Sequence, residues 1–442
     1  MVRSVNIKGL IIAAPSSGSG KTVVTLGVLS ALKRSGVSVA SMKAGPDYID
    51  PAFHARATER DCFNLDPWAM RKDTLVGAAF EAGADADLVV VEGVMGLFDG
   101  ATVDQGSTAD IAMMTGWPLV LVVDSRAQGA SAAAQVLGFD RYRDDVNIAG
   151  VIFNRVGSEK HQRVIRQAME RTLPDVPVLG MIPWEPGLEL PSRHLGLIQA
   201  AEHEGLSTII GRAGRCVERH VDMAALRNLA KAWTAKGEVK PLRPLGQRIA
   251  VARDEAFAFA YPMVLQGWRN QGVEISFFSP LDDQAPSADA DAVFLPGGYP
   301  ELHAYRIASA DRFLKGLRQA AKDGKTVYGE CGGYMVLGRG MKDADGTSHA
   351  MAGLLPLGTS FEKRKLHLGY RRLVLTAETP LGSVHEKLRG HEFHYATITS
   401  EGPGGNLFET QDAEGNKLGK TGQVNGNVFG SFVHLIDRET KT

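Results

Sequence analysis

IIAAPSSGSGKTVVTLGVLSALKR, Ile11–Arg34, is the stretch whose reading decides the fold of the first half of the chain. It runs from a short apolar segment through a Ser/Gly loop into an Ala/Leu-rich, helix-forming stretch. Strand, glycine loop and helix in that order make a phosphate cradle. Gly18 and Gly20, with Ser19 between them, let backbone N–H groups approach phosphate oxygens without a Cβ clash. Lys21 supplies a cation, Thr22 an oxygen for a divalent ion, and the helix N-terminus favours an anion. Pro15 stands where the G-x-x-x-x-G-K-[ST] spacing has its first glycine. A Ser/Gly turn before any helix is the bland alternative, but the Lys-Thr pair at the helix start favours nucleotide binding.

Outward from this segment, β-branched runs alternate with helical stretches. Strands are expected at Gly9–Ala13, Val37–Lys43, Leu88–Glu92, Leu119–Asp124, Ile148–Asn154 and Val178–Ile182. Their continuous apolar character suggests burial on both faces, hence a parallel sheet built from βαβ units and a doubly wound α/β domain. The pattern lapses at WTAKGEVKPLRPLGQ, Trp233–Gln247, and restarts at Arg248–Ala252. Further strands are expected at Glu274–Phe278, Ala292–Leu295 and Thr326–Gly329, before a more β-rich tail. For 442 residues, two α/β domains are expected, 1–240 and 241–442, with the boundary near residue 240.

A formal net charge of −1 gives no support to nucleic acid or an anionic membrane as the main partner, and favours small molecules. Cys62, Cys216 and Cys331 are far apart and form no CxxC pair, which argues against a disulfide framework or structural zinc and for a reducing cytoplasm. Met1–Lys8 is basic and Gly9–Ala14 apolar, but this run is too short for a signal peptide and reads as a buried strand. No stretch has the length of a membrane-spanning helix.

Two acidic segments follow the phosphate loop. KAGPDYIDP (43–51) brings Lys43, Asp47 and Asp50; VVVEGVMGLFDG (89–100) brings Glu92 and Asp99. Ligands of an open parallel sheet gather outside the carboxyl ends of its strands, so these carboxylates are expected near the phosphate loop, where Mg²⁺ needs oxygen donors. Loop aspartates that merely cap helices fit Asp50 and Asp99 about as well. Asn154 ends VIFNRV (151–156), where its amide could read an adenine edge or simply form a turn.

KTVYGECGGYMVLGRG, 325–340, puts Cys331 between a short strand and a glycine-flanked helix start. That is the geometry of a nucleophile elbow, with Gly329, Gly332 and Gly333 relieving the backbone. A thiol at a helix N-terminus is expected to have a lowered pKa. Gly297 and Gly298, in VFLPGGYPE (293–301), are candidates for an oxyanion hole. His434, in FGSFVHLID (429–437), is the candidate general base. A buried core cysteine and a structural histidine are the alternatives.

Together these segments resemble a known family. LPGGYPE, GECGGYM and GSFVHLID are similar to class I glutamine amidotransferase domains; APSSGSGKT, KAGPDYIDP and VEGVMGLFDG are similar to dethiobiotin-synthetase-like P-loop proteins. Their fusion resembles the cobyrinic/hydrogenobyrinic acid a,c-diamide synthases of vitamin B12 synthesis over essentially the whole chain. RPLGQRIAVARD and HEFHYATI look closest to the aerobic-pathway form, which acts on hydrogenobyrinic acid. The resemblance implies that Cys331, helped by His434, releases ammonia from glutamine. It implies that ATP phosphorylates a corrinoid acetate and that ammonia displaces the phosphate, the c and a side chains reacting in sequence. Gly18, Ser19, Gly20, Lys21, Thr22 and Asn154 would hold ATP, and Thr22, Asp47 and Glu92 would hold Mg²⁺. Lys43, Asp47, Asp50 and Asp99 would handle substrate or the phosphorylated intermediate. His391 and His394 could face the macrocycle or simply pack. Class I domains carry His-x-Glu, but Ile436 stands at that position; Asp437, one residue later, is the candidate replacement. The partners implied are glutamine, ATP and a corrinoid acid, with a homodimer compatible. Cobyrinic acid or another tetrapyrrole acid, and a non-catalytic P-loop regulatory protein, are the alternative readings.

Overall fold

A computed structural model describes residues 3–193, 196–237 and 242–439. The boundary expected near residue 240 lies outside the described residues. The chain divides into two compact units, Met1–Trp68 with Lys72–Val239, and Ala69–Arg71 with Lys240–Thr442.

The first unit is built on β1 (Arg3–Ala13), β2 (Val39–Ala44), β3 (Phe63–Leu65), β4 (Leu88–Glu92), β5 (Leu119–Asp124), β6 (Ile148–Val156) and β7 (Val178–Pro183). They pair in parallel in the order β3-β2-β4-β1-β5-β6-β7. Strands of this kind carry continuous apolar runs because helices cover both faces. β3 was not expected from the sequence. Nor was β8 (Lys231–Gly237), which runs into the polar lapse and pairs antiparallel with the first half of β1. Its reading failed because an antiparallel strand exposed to water needs few apolar anchors. Here Trp233 supplies one, set edge-on to Trp117 at 5.7 Å.

The register places the chemistry. Ile12 of β1 and Lys43 of β2 both lie opposite Glu92, the last residue of β4. The carboxyl ends of three strands therefore meet where helix α1 (Lys21–Arg34) begins. Gly20, with φ of 83°, makes the left-handed turn into that helix. Helix α2 (Asp50–Thr58) starts beside the same strand ends.

The second unit has a ten-stranded sheet. β9 (Arg248–Ala252), β10 (Glu274–Phe278), β11 (Ala292–Leu295) and β12 (Thr326–Glu330) are the strands read from the sequence. The β-rich tail adds β13 (His367–Leu375), β14 (Lys387–His394), β15 (Gly405–Gln411), β16 (Lys417–Asn425), β17 (Val428–Ser431) and β18 (Val433–Arg438). The order is β10-β9-β11-β12-β17-β16-β15-β13-β14-β18. Its first five strands are parallel and the rest antiparallel, so the doubly wound half carries an antiparallel extension. Phe313, Leu317 and Leu337 are fully buried in the core on one side, Phe408, Leu373 and Ile249 in the core on the other. Among the described residues no helix is long and apolar enough to cross a membrane.

Candidate active sites

In the first unit the phosphate loop is braced before any ligand arrives. Asn154 Nδ2 donates to the Ser19 carbonyl at 3.0 Å, and Asn154 Oδ1 accepts from the Arg155 amide. Arg155 Nη1 reaches the Gly18 carbonyl at 3.0 Å and Asp124 Oδ2 at 2.7 Å. A Cβ on Gly20 would collide with the Asn154 amide, so this glycine is required by close approach as well as by its turn. Asn154 lines the cavity, but its amide bonds to the loop and to Arg155.

Lys21 and Thr22 point at the end of β4. Lys21 Nζ donates to the Met95 carbonyl at 2.9 Å, and Met95 has the unusual φ of 47°. Burial, aided by the nearby Lys43 ammonium, lowers the Lys21 pKa to about 8. Thr22 Oγ1 donates to Glu92 Oε1 at 2.7 Å.

Glu92 is the hub. It is fully buried and ends an apolar strand, so its charge must be met by partners. Lys43 Nζ bonds Glu92 Oε1 at 2.9 Å and Asp50 Oδ2 at 2.6 Å; His54 Nε2 meets Glu92 Oε2 at 2.6 Å. Burial alone would raise the Glu92 carboxyl, but Lys43 and the His54 bond outweigh it and hold the pKa well below the carboxylate range. Burial likewise works against the Lys43 ammonium, and Asp50, Glu92 and Asp47 more than reverse it, raising its pKa. For His54, burial opposes the charged ring while Cys62 and Glu92 lift the pKa to about 10. The His54 cation therefore belongs to the site, and no sequence motif pointed to it. The available signal was its place one helical turn after Asp50 on α2.

Asp47 Oδ1 accepts the amides of Ile49 and Asp50 at 2.8 and 3.0 Å. Burial, then repulsion from Asp50, raises its pKa to about 6. Lys21, Thr22, Lys43, Asp47, Asp50 and Glu92 all line one cavity of about 580 Å³. Asp99 does not join them. Its Oδ2 accepts from the Gly96 amide at 2.9 Å, and it lines a neighbouring cavity.

In the second unit Cys331 follows β12 with φ of 47°, a strained value for a residue with a Cβ. Its amide donates to Ser431 O at 2.8 Å, and its carbonyl accepts from Met335, opening the helix Gly332–Leu337. Packing is too close for side chains: a Cβ on Gly329 would lie 2.7 Å from the Gly333 backbone, and one on Gly332 2.8 Å from Pro300. A Cβ on Gly297 would lie 2.9 Å from His434 Nε2 and 3.2 Å from Cys331 Cβ. Gly297 thus marks the point where nucleophile and histidine close on each other. Gly298 lies against Ala256, and its amide N is 3.1 Å from where a Gly332 Cβ would sit.

The expected low thiol pKa is not found. Burial, then the negative charge of Glu301, pushes Cys331 above the ordinary thiol range; a single helix N-terminus of six residues does not compensate. The nucleophile rests as a thiol and needs a base. His434 is fully buried, and burial, then His391 and His394, lowers its pKa to about 3, so its ring is a neutral proton acceptor.

Asp437 is engaged elsewhere. Arg71, in the Ala69–Arg71 stretch of this unit, gives it a backbone N–H at 2.8 Å and Nη2 at 2.7 Å. The carboxyl beside His434 is Glu330, whose Oε2 is 3.8 Å from Nδ1. Tyr328 Oη and the Leu435 amide hold Glu330 Oε1 at 2.9 and 3.1 Å, and burial raises its pKa to about 8. Glu330 directly precedes the cysteine in GECGGYM, whereas the sequence pattern points to Asp437, downstream of the histidine. His391 sits opposite His434 in the β14–β18 ladder, and His394 stacks on Phe432 at 4.0 Å while bonding Glu392 at 2.9 Å. Both are packed within the second unit.

The chain is similar to known proteins along most of its length. Residues 10–198 match the CobQ/CobB/MinD/ParA nucleotide binding domain, and residues 248–441 match the CobB/CobQ-like glutamine amidotransferase domain. The chain is 55% identical over 437 residues to a hydrogenobyrinate a,c-diamide synthase of Brucella anthropi, covering 98% of this chain and 99% of that one. Proteins of the same name from Rhizobium meliloti and Rhodobacter capsulatus are 52% and 53% identical, covering 98% and 97% of this chain and 99% and 98% of theirs.

Proposed function

The chain belongs to the hydrogenobyrinate a,c-diamide synthase family, and we propose on that premise that it turns the a and c carboxylates of hydrogenobyrinic acid into amides with ATP and glutamine. The observation that carries the reading is the closure of Cys331 and His434 on Gly297, in a chain whose first unit has a phosphate-binding design. A strained thiol facing a neutral imidazole suits acyl transfer and has no use in a binding module.

His434 takes the thiol proton as Cys331 Sγ attacks the glutamine side-chain carbonyl. Backbone N–H groups at Gly297 and Gly298 are suited to receive the oxyanion. Collapse of the tetrahedral adduct expels ammonia, which takes its proton back from His434, and water then releases glutamate from the thioester. Glu330, with Oε2 3.8 Å from His434 Nδ1, is the carboxyl suited to orient the ring.

In the first unit a substrate carboxylate oxygen attacks the terminal phosphorus of ATP, and ADP leaves. Ammonia then attacks the acyl phosphate carbon, inorganic phosphate departs with the oxygen that had attacked phosphorus and takes up the proton that nitrogen loses, and the other oxygen stays as the amide carbonyl. Gly18, Ser19, Gly20 and Lys21 suit the phosphates, while Lys43 and Asp50, which line the same cavity, suit the handling of the acyl phosphate. The donor set also fits Mg²⁺. Thr22 Oγ1, Glu92 and Asp47 are hard oxygen donors, and the raised pKa of Asp47 beside Asp50 marks negative charge that a dication would relieve. When bound, Mg²⁺ neutralises phosphate charge. Three free thiols suit the reducing cytoplasm.

The test is mass spectrometry of hydrogenobyrinic acid incubated with the enzyme, ATP, Mg²⁺ and glutamine, with cobyrinic acid in parallel. Two carboxyl-to-amide exchanges on hydrogenobyrinic acid are expected. No amidated product from it would overturn the reading.

A further inference from the structure

The turn after β4 borders two cavities of the first unit. One is the phosphate cavity. The other is larger, about 850 Å³, and is bordered by Pro15, Met95, Phe98, Asp99, Phe139 and Tyr142. Met95 lines both, and its carbonyl holds Lys21 in the first. The second cavity is aromatic in a way phosphate transfer does not require. The Phe98 ring lies 5.5 Å from Phe139 at an interplanar angle of 15°, and 4.6 Å from Tyr142 at 44°. Tyr142 is 66% exposed and Met95 41%. Scattered apolar residues on a surface need no explanation, but a stacked aromatic group around an open cavity marks a ligand site.

We propose that this aromatic cavity seats the macrocycle of the corrin-type acid, its reacting carboxylate reaching past Met95 into the phosphate cavity. The proposal rests on the substrate reading above. Continuity carries it: the residue that borders the aromatic cavity also anchors the phosphate-loop lysine, so an occupant there has its edge at the reaction centre. The chemistry matches, since a macrocycle with carboxylates on its rim is an apolar body needing a ring-lined seat and a polar edge needing the phosphates. Asp99 gains a positioning role, because its bond to the Gly96 amide fixes the turn that presents Phe98.

This seat also accounts for two amidations at one site. Dispersive contact with apolar and aromatic surface does not fix one rotation of the macrocycle in its own plane. The macrocycle can therefore settle in two orientations, each with a different carboxylate at Met95. A seat made of hydrogen bonds would select one.

The experiment uses Tyr142→Ala, Phe139→Ala and the double variant in the full chain. Readouts are the KM for hydrogenobyrinic acid, its equilibrium binding without ATP, the KM values for ATP and glutamine, and the share of product released as monoamide. The double variant is expected to bind the acid about tenfold or more weakly and to release more monoamide, with ATP and glutamine KM within about twofold of wild type. Tyr142 is exposed enough that its variant keeps the fold, and Tyr142→Phe should restore binding. Wild-type affinity for the acid in the folded Tyr142→Ala and double variants overturns the seat alone. Failure of the wild-type enzyme to bind or amidate the acid overturns the substrate reading and the seat with it.

Discussion

Glu330 Oε2 lies 3.8 Å from His434 Nδ1, on the residue directly preceding the nucleophile. Burial holds the Glu330 pKa at about 8, so it is protonated at neutral pH and ionises just above it. Once ionised it favours the imidazolium that His434 becomes on taking the thiol proton. Glutaminase activity of the wild type should therefore climb as pH passes about 8, and Glu330→Gln should lose that limb. Asp437→Asn should keep it, because Asp437 is engaged by Arg71. The same limb in Glu330→Gln would remove Glu330 from the mechanism.

Stability should move the other way at this position. A free glutamate sheds its proton near 4.5, whereas folded Glu330 keeps it to about 8. Across that window the unfolded chain binds fewer protons, so this group costs the fold stability as pH rises. Glutamine does not ionise. Glu330→Gln should melt higher than wild type at pH 8, roughly 2 °C or more, with the gap closing by pH 4.5. Calorimetric scans at the two pH values decide it.

His54 carries the opposite sign. Its folded pKa is about 10 against an ordinary 6.5, so the stability it contributes is fully present below 6.5 and lost as pH rises through 10. His54→Asn should be most destabilised relative to wild type at pH 6 and nearly equal to it above pH 10. Because Glu92 loses a bonding partner, the Mg²⁺ concentration needed for half-maximal ATP-dependent turnover should also change, while glutaminase stays as it was. An unchanged Mg²⁺ requirement would confine His54 to a structural part.

Lys21 separates the two half-reactions. Lys21→Ala should abolish amide formation with either glutamine or ammonia, whereas Cys331→Ala should abolish only the glutamine-supported reaction. The lysine's lowered pKa, about 8, adds a titration. Above it the ammonium must be recharged before it can hold phosphate, so ATP affinity should fall by up to about tenfold per pH unit. Flat ATP affinity from pH 7 to 9 would exclude Lys21 as the phosphate ligand.

Much of this was legible in the sequence, for physical reasons. Gly20, Lys21 and Thr22 are local: one loop and one helix start determine their geometry. Glu92 was legible because a carboxylate ending a run of valines needs partners to be there at all. What failed was whatever depends on packing between distant segments. His54 became a site residue only when α2 was laid beside β4, and Asp437 was lost to Arg71 through a contact no spacing rule encodes. At Cys331 burial outweighs the helix-end effect that the glycine-flanked motif suggests. β8 was missed because its partner, not its composition, makes it a strand.

Gly297 offers the sharpest test of the amidotransferase geometry. A methyl group there would lie 2.9 Å from His434 Nε2 and 3.2 Å from Cys331 Cβ, both tighter than ordinary carbon contacts. His434 is fully buried and Cys331 sits on a strained turn, so neither can yield without opening the pair. Gly297→Ala should then lower glutaminase turnover by about a hundredfold or more, the scale set by a misplaced reacting group. Ammonia-supported, ATP-dependent amidation should persist, since the phosphate-loop unit is untouched. Comparable loss with both nitrogen donors would mean the substitution unfolds the second unit or that the two half-reactions are not divided at Gly297. Retained glutaminase would mean that Cys331 and His434 do not have to meet there.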